Sequence, residues 1–395
     1  MLSLSYEYKL RPTAEQGRKI DRWLDICRQV YNFALAERKD WVRSRKCQVD
    51  CCSLQREYVL PADAKRPTYY SQCKSLAAAK KSIEHLKEPH THVLQQALRQ
   101  LEAAFVAMWE RGHGFPRFKK RMRSFLLPQL NKVVVENDCV NLPKLGRIRM
   151  RQSRPLPEGF EVKQARVVRR ASGYYVVLVL QSDGEIPEIQ PNGYPLGIDL
   201  GIESYLATSD GQLVANPKFF LSGQRKLKSL QRQLKRKTKG SSRWHKAQQQ
   251  VARYHEYLSN ARKDFQFKLA HQLCDRAGSV YAEDLNLKGL VRGMLGKHCL
   301  DAAWGQFLSI LSHVAFKRGV YFEKVEAHGT SQTCPQCQVV VKKDLSVRVH
   351  ECPECGYTAN RDVAAAQVVV QRGCASAGRV EKKLTEGKTI GFPMK

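Results

Sequence analysis

The chain has 395 residues, of which 67 are Lys or Arg and 37 are Asp or Glu, giving a formal net charge of +30 at pH 7. That length buries a substantial core and suits two or three domains, and the excess positive charge points to a polyanion as partner. A membrane role is disfavoured because no apolar run of about 18 residues and no lipidation signal occurs, and the polar N-terminus lacks the apolar centre of a secretory signal, so a cytoplasmic protein is expected.

In chain order, a strand is predicted over Leu4–Leu10, after which Thr13 is placed to cap a helix with apolar positions Ile20, Trp23, Leu24, Cys27, Val30, Tyr31 and Leu35. A second helix carries Leu94, Leu98, Leu101, Phe105 and Met108, and the Gly112–Pro116 breaker ends a helical bundle assigned to residues 11–125. His90 and His92 read as helix-capping surface residues. Cys47, Cys51 and Cys52 cluster without a fourth ligand of matching spacing and read as reduced free thiols. In the basic run Arg117–Arg123, Arg117, Lys119, Lys120 and Arg121 are candidates for phosphate contact. Tyr69, Tyr70 and Phe118 suit either base stacking or core packing.

Residues 126–185 change to a period of two: Lys132–Val135, Gly146–Met150, Ala165–Arg169 and Tyr174–Leu180 read as strands of a small β-domain. The first strand, residues 1–10, is placed to complete that sheet, which makes the helical bundle an insertion. Pro187, Pro191 and Pro195 mark a linker. Strands and helices then alternate. Strands are expected at Leu196–Leu200, Ser204–Thr208, Gln212–Ala215, Ser279–Asp284 and Val320–Glu326, with a basic helical pair over 217–277 and a helix over Ala303–Lys317. Three adjacent strands, a helical excursion and further strands crossed by helices describe an α/β, ribonuclease-H-like core.

Three acids sit where that topology gathers carboxylates: Asp199 in Leu196-Gly-Ile-Asp-Leu-Gly201, Glu283 in Val280-Tyr-Ala-Glu-Asp-Leu285, and Asp362 in Asn360-Arg-Asp-Val-Ala-Ala-Ala366. Such a trio suits two Mg²⁺ ions about 4 Å apart, with Asp199 as the bridge, for phosphodiester hydrolysis. Asp284 is expected on the opposite face of its strand, and Asp210 in a Ser-Asp-Gly turn. An acid-free stretch, Gln224–Gly240, keeps Leu227, Leu230 and Leu234 as an apolar stripe. It offers Arg225, Lys226, Lys228, Arg232, Lys235, Arg236 and Lys237 to phosphates, or to solvent as an ordinary charged face.

Of 13 cysteines, an odd number in a long chain, four have ligand spacing: Cys334-Pro-Gln-Cys337, fourteen residues, then Cys352-Pro-Glu-Cys355. Two knuckles of this kind suit one structural Zn²⁺ with a closed shell of thiolates.

Tyr8-Lys-Leu-Arg-Pro-Thr-Ala-Glu-Gln16, Leu142–Ile148, Gly197–Gly201, Glu283–Gly289, Trp304–Phe307 and Thr330–Cys334 together resemble the TnpB family, transposon-encoded RNA-guided nucleases related to type V CRISPR effectors. The resemblance covers nearly the whole chain. It implies a β-barrel-like wedge domain (1–10 and 126–185) carrying a helical recognition lobe (11–125). A RuvC-like nuclease (186–332 and 359–395) would be interrupted by a zinc ribbon (333–358). It also implies DNA cleavage beside a short adjacent motif, directed by a guide RNA from the transposon end, with target double-stranded DNA as partner and a monomer favoured. Asp199, Glu283 and Asp362 take the catalytic positions, and Cys334, Cys337, Cys352 and Cys355 the zinc positions. Family members read Asp-Arg-Asp-x-Asn-Ala-Ala around the last acid, whereas this chain has Asn360 and Ala364, departures expected to weaken support of the metal site. A guide-dependent binder without cleavage and a DNA-joining transposase stand as alternatives.

Overall fold

The computed structural model describes residues 2–46, 60, 63–130, 135–184, 187–293, 295–344 and 347–384. They form two compact units, Met1–Ile186 and Pro187–Lys395. Cys47, Cys51 and Cys52 lie outside the described residues, as does most of the strand expected over Lys132–Val135.

In the first unit, β1 (Leu2–Arg11) leads into α1 (Ala14–Lys46). Thr13 and Gln16 cap the helix reciprocally: the Gln16 N–H donates to Thr13 Oγ1 at 3.2 Å, and the Thr13 N–H to Gln16 Oε1 at 3.0 Å. All seven stripe positions expected on α1 are buried. Helix α2 (Tyr69–Ser82) follows, and α3 (Thr91–Arg111) begins where the His90 ring accepts from the His92 N–H and ends at Gly112, φ 64°. A polar tie joins the three helices. Arg38 of α1, 3% exposed, donates to Gln72 of α2 at 3.0 Å and pairs with Glu102 of α3 at 2.6 Å. Losing one partner there strands a buried charge.

The sheet of this unit is antiparallel. It comprises β2 (Ser124–Leu127), β3 (Val135–Glu136), β4 (Cys139–Leu142), β5 (Gly146–Arg151), β6 (Glu161–Arg170) and β7 (Gly173–Ser182), with β1 central in the order β2-β6-β7-β1-β5-β4-β3. The N-terminal strand thus completes the sheet as expected. Among the described residues β2 and β3 are edges, so the order is open where a barrel-like closure was expected. Helices and sheet share one core, with the Trp23 ring 5.5 Å from that of Phe125. The β3–β4 hairpin turns through Asn137 and Asp138 at φ 47° and 58°, the backbone region such short polar residues tolerate.

The second unit holds a five-stranded sheet of β8 (Pro195–Leu200), β9 (Ser204–Thr208), β10 (Leu213–Ala215), β11 (Ser279–Glu283) and β12 (Tyr321–Val325), in the order β10-β9-β8-β11-β12. The first three strands pair antiparallel, and β11 lies parallel to both β8 and β12. Between β10 and β11 runs a hairpin of α4 (Phe219–Lys235) and α5 (Ser242–Arg276). Two short helices not expected from the sequence, α6 (Leu287–Arg292) and α7 (Gly296–Ala302), precede α8 (Trp304–Arg318). A two-stranded ribbon, β13 (Val349–Glu351) and β14 (Thr358–Asn360), leads into α9 (Arg361–Leu384).

Strand alternation assigns each sheet face. Leu196, Ile198, Val280 and Ala282 join Leu269, Leu273, Phe307 and Leu311 of α5 and α8 in one core. Tyr281 and Val325 pack instead with Val369 of α9. Helix α9 lies almost backbone to backbone on the sheet. A Cβ on Gly197 would stand 2.1 Å from the Ala366 carbonyl, and one on Gly373 2.1 Å from the Tyr281 ring.

Candidate metal centres

Gly197, Asp199 and Gly201 share the face of β8 that meets α9, as Tyr281 and Glu283 do on β11. The parallel register pairs Gly197 with Tyr281 and Ile198 with Ala282, so one further step sets Asp199 beside Glu283. Asp362, the second residue of α9, arrives from above the sheet. Its Oδ2 lies 3.6 Å from where a Cβ on Gly201 would stand, which puts the carboxylate at the end of β8; the close approach that requires glycine there is to the Ser204 carbonyl, at 2.8 Å. Three acids separated by up to 163 positions therefore converge where β8 and β11 end.

Their mutual electrostatics record the crowding. The Asp199 carboxyl is held well above its usual range, first by desolvation and then by the negative charges of Glu283 and Asp362, with Arg361 opposing. Glu283, 6% exposed, is likewise raised by burial, against a hydrogen bond from the Thr330 hydroxyl and the charge of Arg372. Glu283 is buried and Asp199 and Asp362 half-buried. Crowded carboxylates of this kind form a donor set that a hard divalent cation relieves, and all the side-chain donors are oxygens, so the residues present fit Mg²⁺. The two neighbouring acids are occupied elsewhere. Asp284 is exposed and pairs with Lys324 at 3.4 Å, while Asp210 takes a hydrogen bond from Thr208 and an ion pair from Arg276.

The substituted positions near Asp362 have local structural roles. Asn360 Oδ1 accepts from the Asp362 N–H at 2.9 Å and the Val363 N–H at 3.4 Å, so it caps α9 as an aspartate there would. Ala364 is 1% exposed in the helix–sheet contact, where an alanine leaves no polar group to satisfy.

The four ribbon thiols meet in space. The Sγ atoms of Cys334, Cys337, Cys352 and Cys355 lie within 4.8 Å of one another, with Cys334–Cys355 at 3.6 Å and Cys337–Cys352 at 3.5 Å. A tetrahedral zinc with bonds of about 2.3 Å separates its sulfurs by about 3.8 Å, so the cluster fits a structural Zn²⁺. Each knuckle turns just after its second cysteine, at Gln338 (φ 65°) and Gly356 (φ 70°). Backbone N–H groups of Cys355 and then Glu354 hold the Cys352 thiol down at about 7. The knuckles dock on α9: the Gln371 amide donates to the Pro335 carbonyl at 2.7 Å, and the Tyr357 hydroxyl to Gln367.

On α4, Leu227 is buried and Leu230 and Leu234 half-buried, while Arg225, Lys226, Lys228, Arg232, Lys235, Arg236 and Lys237 are all exposed. Asp301, on α7, accepts from the Phe220 N–H at 2.8 Å and the Arg262 guanidinium at 3.1 Å, which fixes the start of this basic helix. In the first unit Arg117, Lys120 and Arg121 are exposed, but Lys119 turns inward. Its ammonium sits 4.1 Å from the Tyr31 ring centre and bonds Gln100, and burial lowers its pKa. Tyr70 is 75% exposed and Phe118 49%.

Sequence reasoning missed Thr330 and Arg372, which act on Glu283. Thr330 opens the Thr-Ser-Gln-Thr-Cys stretch before the first knuckle, a signal that was available; Arg372 lies on an otherwise ordinary helix.

Three family descriptions match the chain: "Probable transposase" over residues 177–294, "Cas12f1-like, TNB domain" over 304–369, and "Helix-turn-helix domain" over 1–47. The last stretch folds here as β1 and the single helix α1. A Streptomyces pristinaespiralis protein named "Putative RNA-guided DNA endonuclease" is 31% identical, covering 94% of this chain and 90% of its own. The Escherichia coli (strain K12) "Putative RNA-guided DNA endonuclease InsQ" is 29% identical, over 94% and 92% of the two chains. "TnpB-like protein L79" of Acanthamoeba polyphaga mimivirus is 27% identical over 34% of this chain and 27% of its own. Identity at that level over nine-tenths of both chains settles the relationship: this chain belongs to the TnpB family of transposon-encoded RNA-guided nucleases.

Proposed function

We propose that the chain is an RNA-guided endonuclease that hydrolyses phosphodiester bonds of target double-stranded DNA beside a short adjacent motif, using a Mg²⁺-dependent RuvC-like site. The observation that carries this reading is the convergence of Asp199, Glu283 and Asp362 on the α9 face of the β10-β9-β8-β11-β12 sheet, a ribonuclease-H-like strand order. Residues 186–332 and 359–395 would be the nuclease and 333–358 its zinc ribbon. Residues 1–10 and 126–185 would be the wedge and 11–125 the recognition lobe.

Asp199, Glu283 and Asp362 would hold the Mg²⁺, which when bound would make a water more acidic and neutralise charge on the leaving oxygen. The chain's own part is to fix three carboxylates on a strand end, a second strand end and a helix start, and to keep Asp284 and Asp210 paired away from them. The exposed cations of α4, with Arg117, Lys120 and Arg121, would bind phosphates of the guide RNA and target. Cys334, Cys337, Cys352 and Cys355 would hold one structural Zn²⁺. The complete trio of acids supports active cleavage over a binder that has lost it.

The test uses the full chain purified with its bound RNA, a guide-matched duplex and Mg²⁺. Asp199→Ala should lower cleavage on the order of 10⁴-fold while RNA is retained, and Asp284→Ala should stay close to the wild type. Cleavage by Asp199→Ala at the wild-type rate would sink the assignment.

A further inference from the structure

The turn that opens the thiol ribbon is fastened to Glu283. Thr330 is 3% exposed, and its hydroxyl donates to Glu283 Oε1. A buried hydroxyl needs a partner, and the Ala327 carbonyl, 3.1 Å away, would satisfy it without involving the acid. A hydroxyl has one proton to give. Given to the carboxylate it forms the stronger, charge-assisted bond.

The turn is also held from the helix side. Arg372 of α9 donates from Nη1 to the carbonyls of Glu326 and His328, each at 2.8 Å. Gly329, at φ 73°, makes the reversal, and Thr333 returns both its N–H, at 3.0 Å, and its hydroxyl, at 2.9 Å, to the Gly329 carbonyl. Residues 326–333 are therefore rigidly tied between α9, which carries Asp362, and the first knuckle at Cys334.

Resting on the assignment of Glu283 to the nuclease centre, we propose that Thr330 is a positioning residue of that centre: its hydroxyl pins Oε1 of Glu283 and so aims Oε2 at the cation. Glutamate is the longest of the three acids and has the most torsions to fix. Partners that orient a ligating carboxylate typically change metal affinity about 10–100-fold when removed. Arg372 supports the same oxygen indirectly, by holding the turn on which Thr330 stands.

The experiment compares wild type, Thr330→Val, Thr330→Ser and Asp199→Ala as full chains. Mn²⁺ binding is read by electron paramagnetic resonance on RNA-free protein, and the Mg²⁺ dependence of cleavage on the RNA-bound form. Thr330→Val should weaken Mn²⁺ binding about tenfold or more, and raise half-saturating Mg²⁺ alike, with the rate recovering at high metal. Thr330→Ser, which keeps the hydroxyl, should stay within about twofold of wild type, and zinc content should be unchanged in both. A Val variant with wild-type Mn²⁺ affinity overturns the proposal, and so does one whose only defect is lost zinc. Asp199→Ala that binds Mn²⁺ like the wild type strikes the metal centre itself, a failure distinct from that of Thr330.

Discussion

The thiol cluster and the acid cluster are neighbours along α9, yet they are built in opposite ways. The four sulfurs come from one short segment, Cys334 to Cys355, and two backbone turns bring them together. The three carboxylates come from β8, β11 and the start of α9; the sheet register sets the first two side by side and the seating of α9 brings the third. A local site carries its own folding energy through its metal. A distributed site borrows rigidity from the whole unit, so its weak points are packing contacts far from any ligand.

Cys352→Ala should break the comparison most strongly on the local side. Zinc content should fall from one per chain to none, against apparent binding free energies of about 10–16 kcal/mol for such sites, and the ribbon should become protease-sensitive while the sheet stays folded. Metal analysis with limited proteolysis reads both. Global unfolding of the unit on zinc loss would show that the two regions are one.

The distributed side should break at Gly197. A methyl there meets the Ala366 carbonyl, which cannot move without lifting α9, so Gly197→Ala should cost about 3 kcal/mol and remove most cleavage. Zinc should remain. Denaturant unfolding beside zinc analysis tests this, and an unchanged transition midpoint would mean that α9 does not seat as described.

Asn360 sits at the junction, closing β14 and capping α9. Asn360→Ala should cost about 1 kcal/mol in thermal unfolding, with zinc retained. Asn360→Asp should keep the cap and cleave at least as well as the native chain, whereas a marked loss would show that a further negative charge two residues before Asp362 is harmful.

The sequence disclosed what is periodic or local. The α1 stripe, the strands at Ser204–Thr208 and Gly173–Ser182, and the cysteine knuckles each carry their signal within a few turns. The acids were legible through their strand-end settings, although their proximity depends on the register. Strand β2 has four residues behind a basic run, too few for periodicity to register, and α6 and α7 are one or two turns long. The β3–β4 hairpin was announced by Asn137-Asp138 and overlooked. Lys119 looked like its basic neighbours because charge runs do not say which member faces Tyr31. The closeness of Gly197 to Ala366 is a tertiary fact with no local trace.

The basic hairpin carries one more consequence. Every fully buried residue of α5 lies at Leu258 or beyond, so the stretch from Ser242 to Tyr257 stands clear of the core. At 1.5 Å per residue it projects about 24 Å, roughly three Debye lengths at physiological ionic strength. On the proposed function, reversing charges near the tip around Arg236–Gly240 should change how fast a polyanion is first caught, because the tip stands well away from the buried end of its own helix.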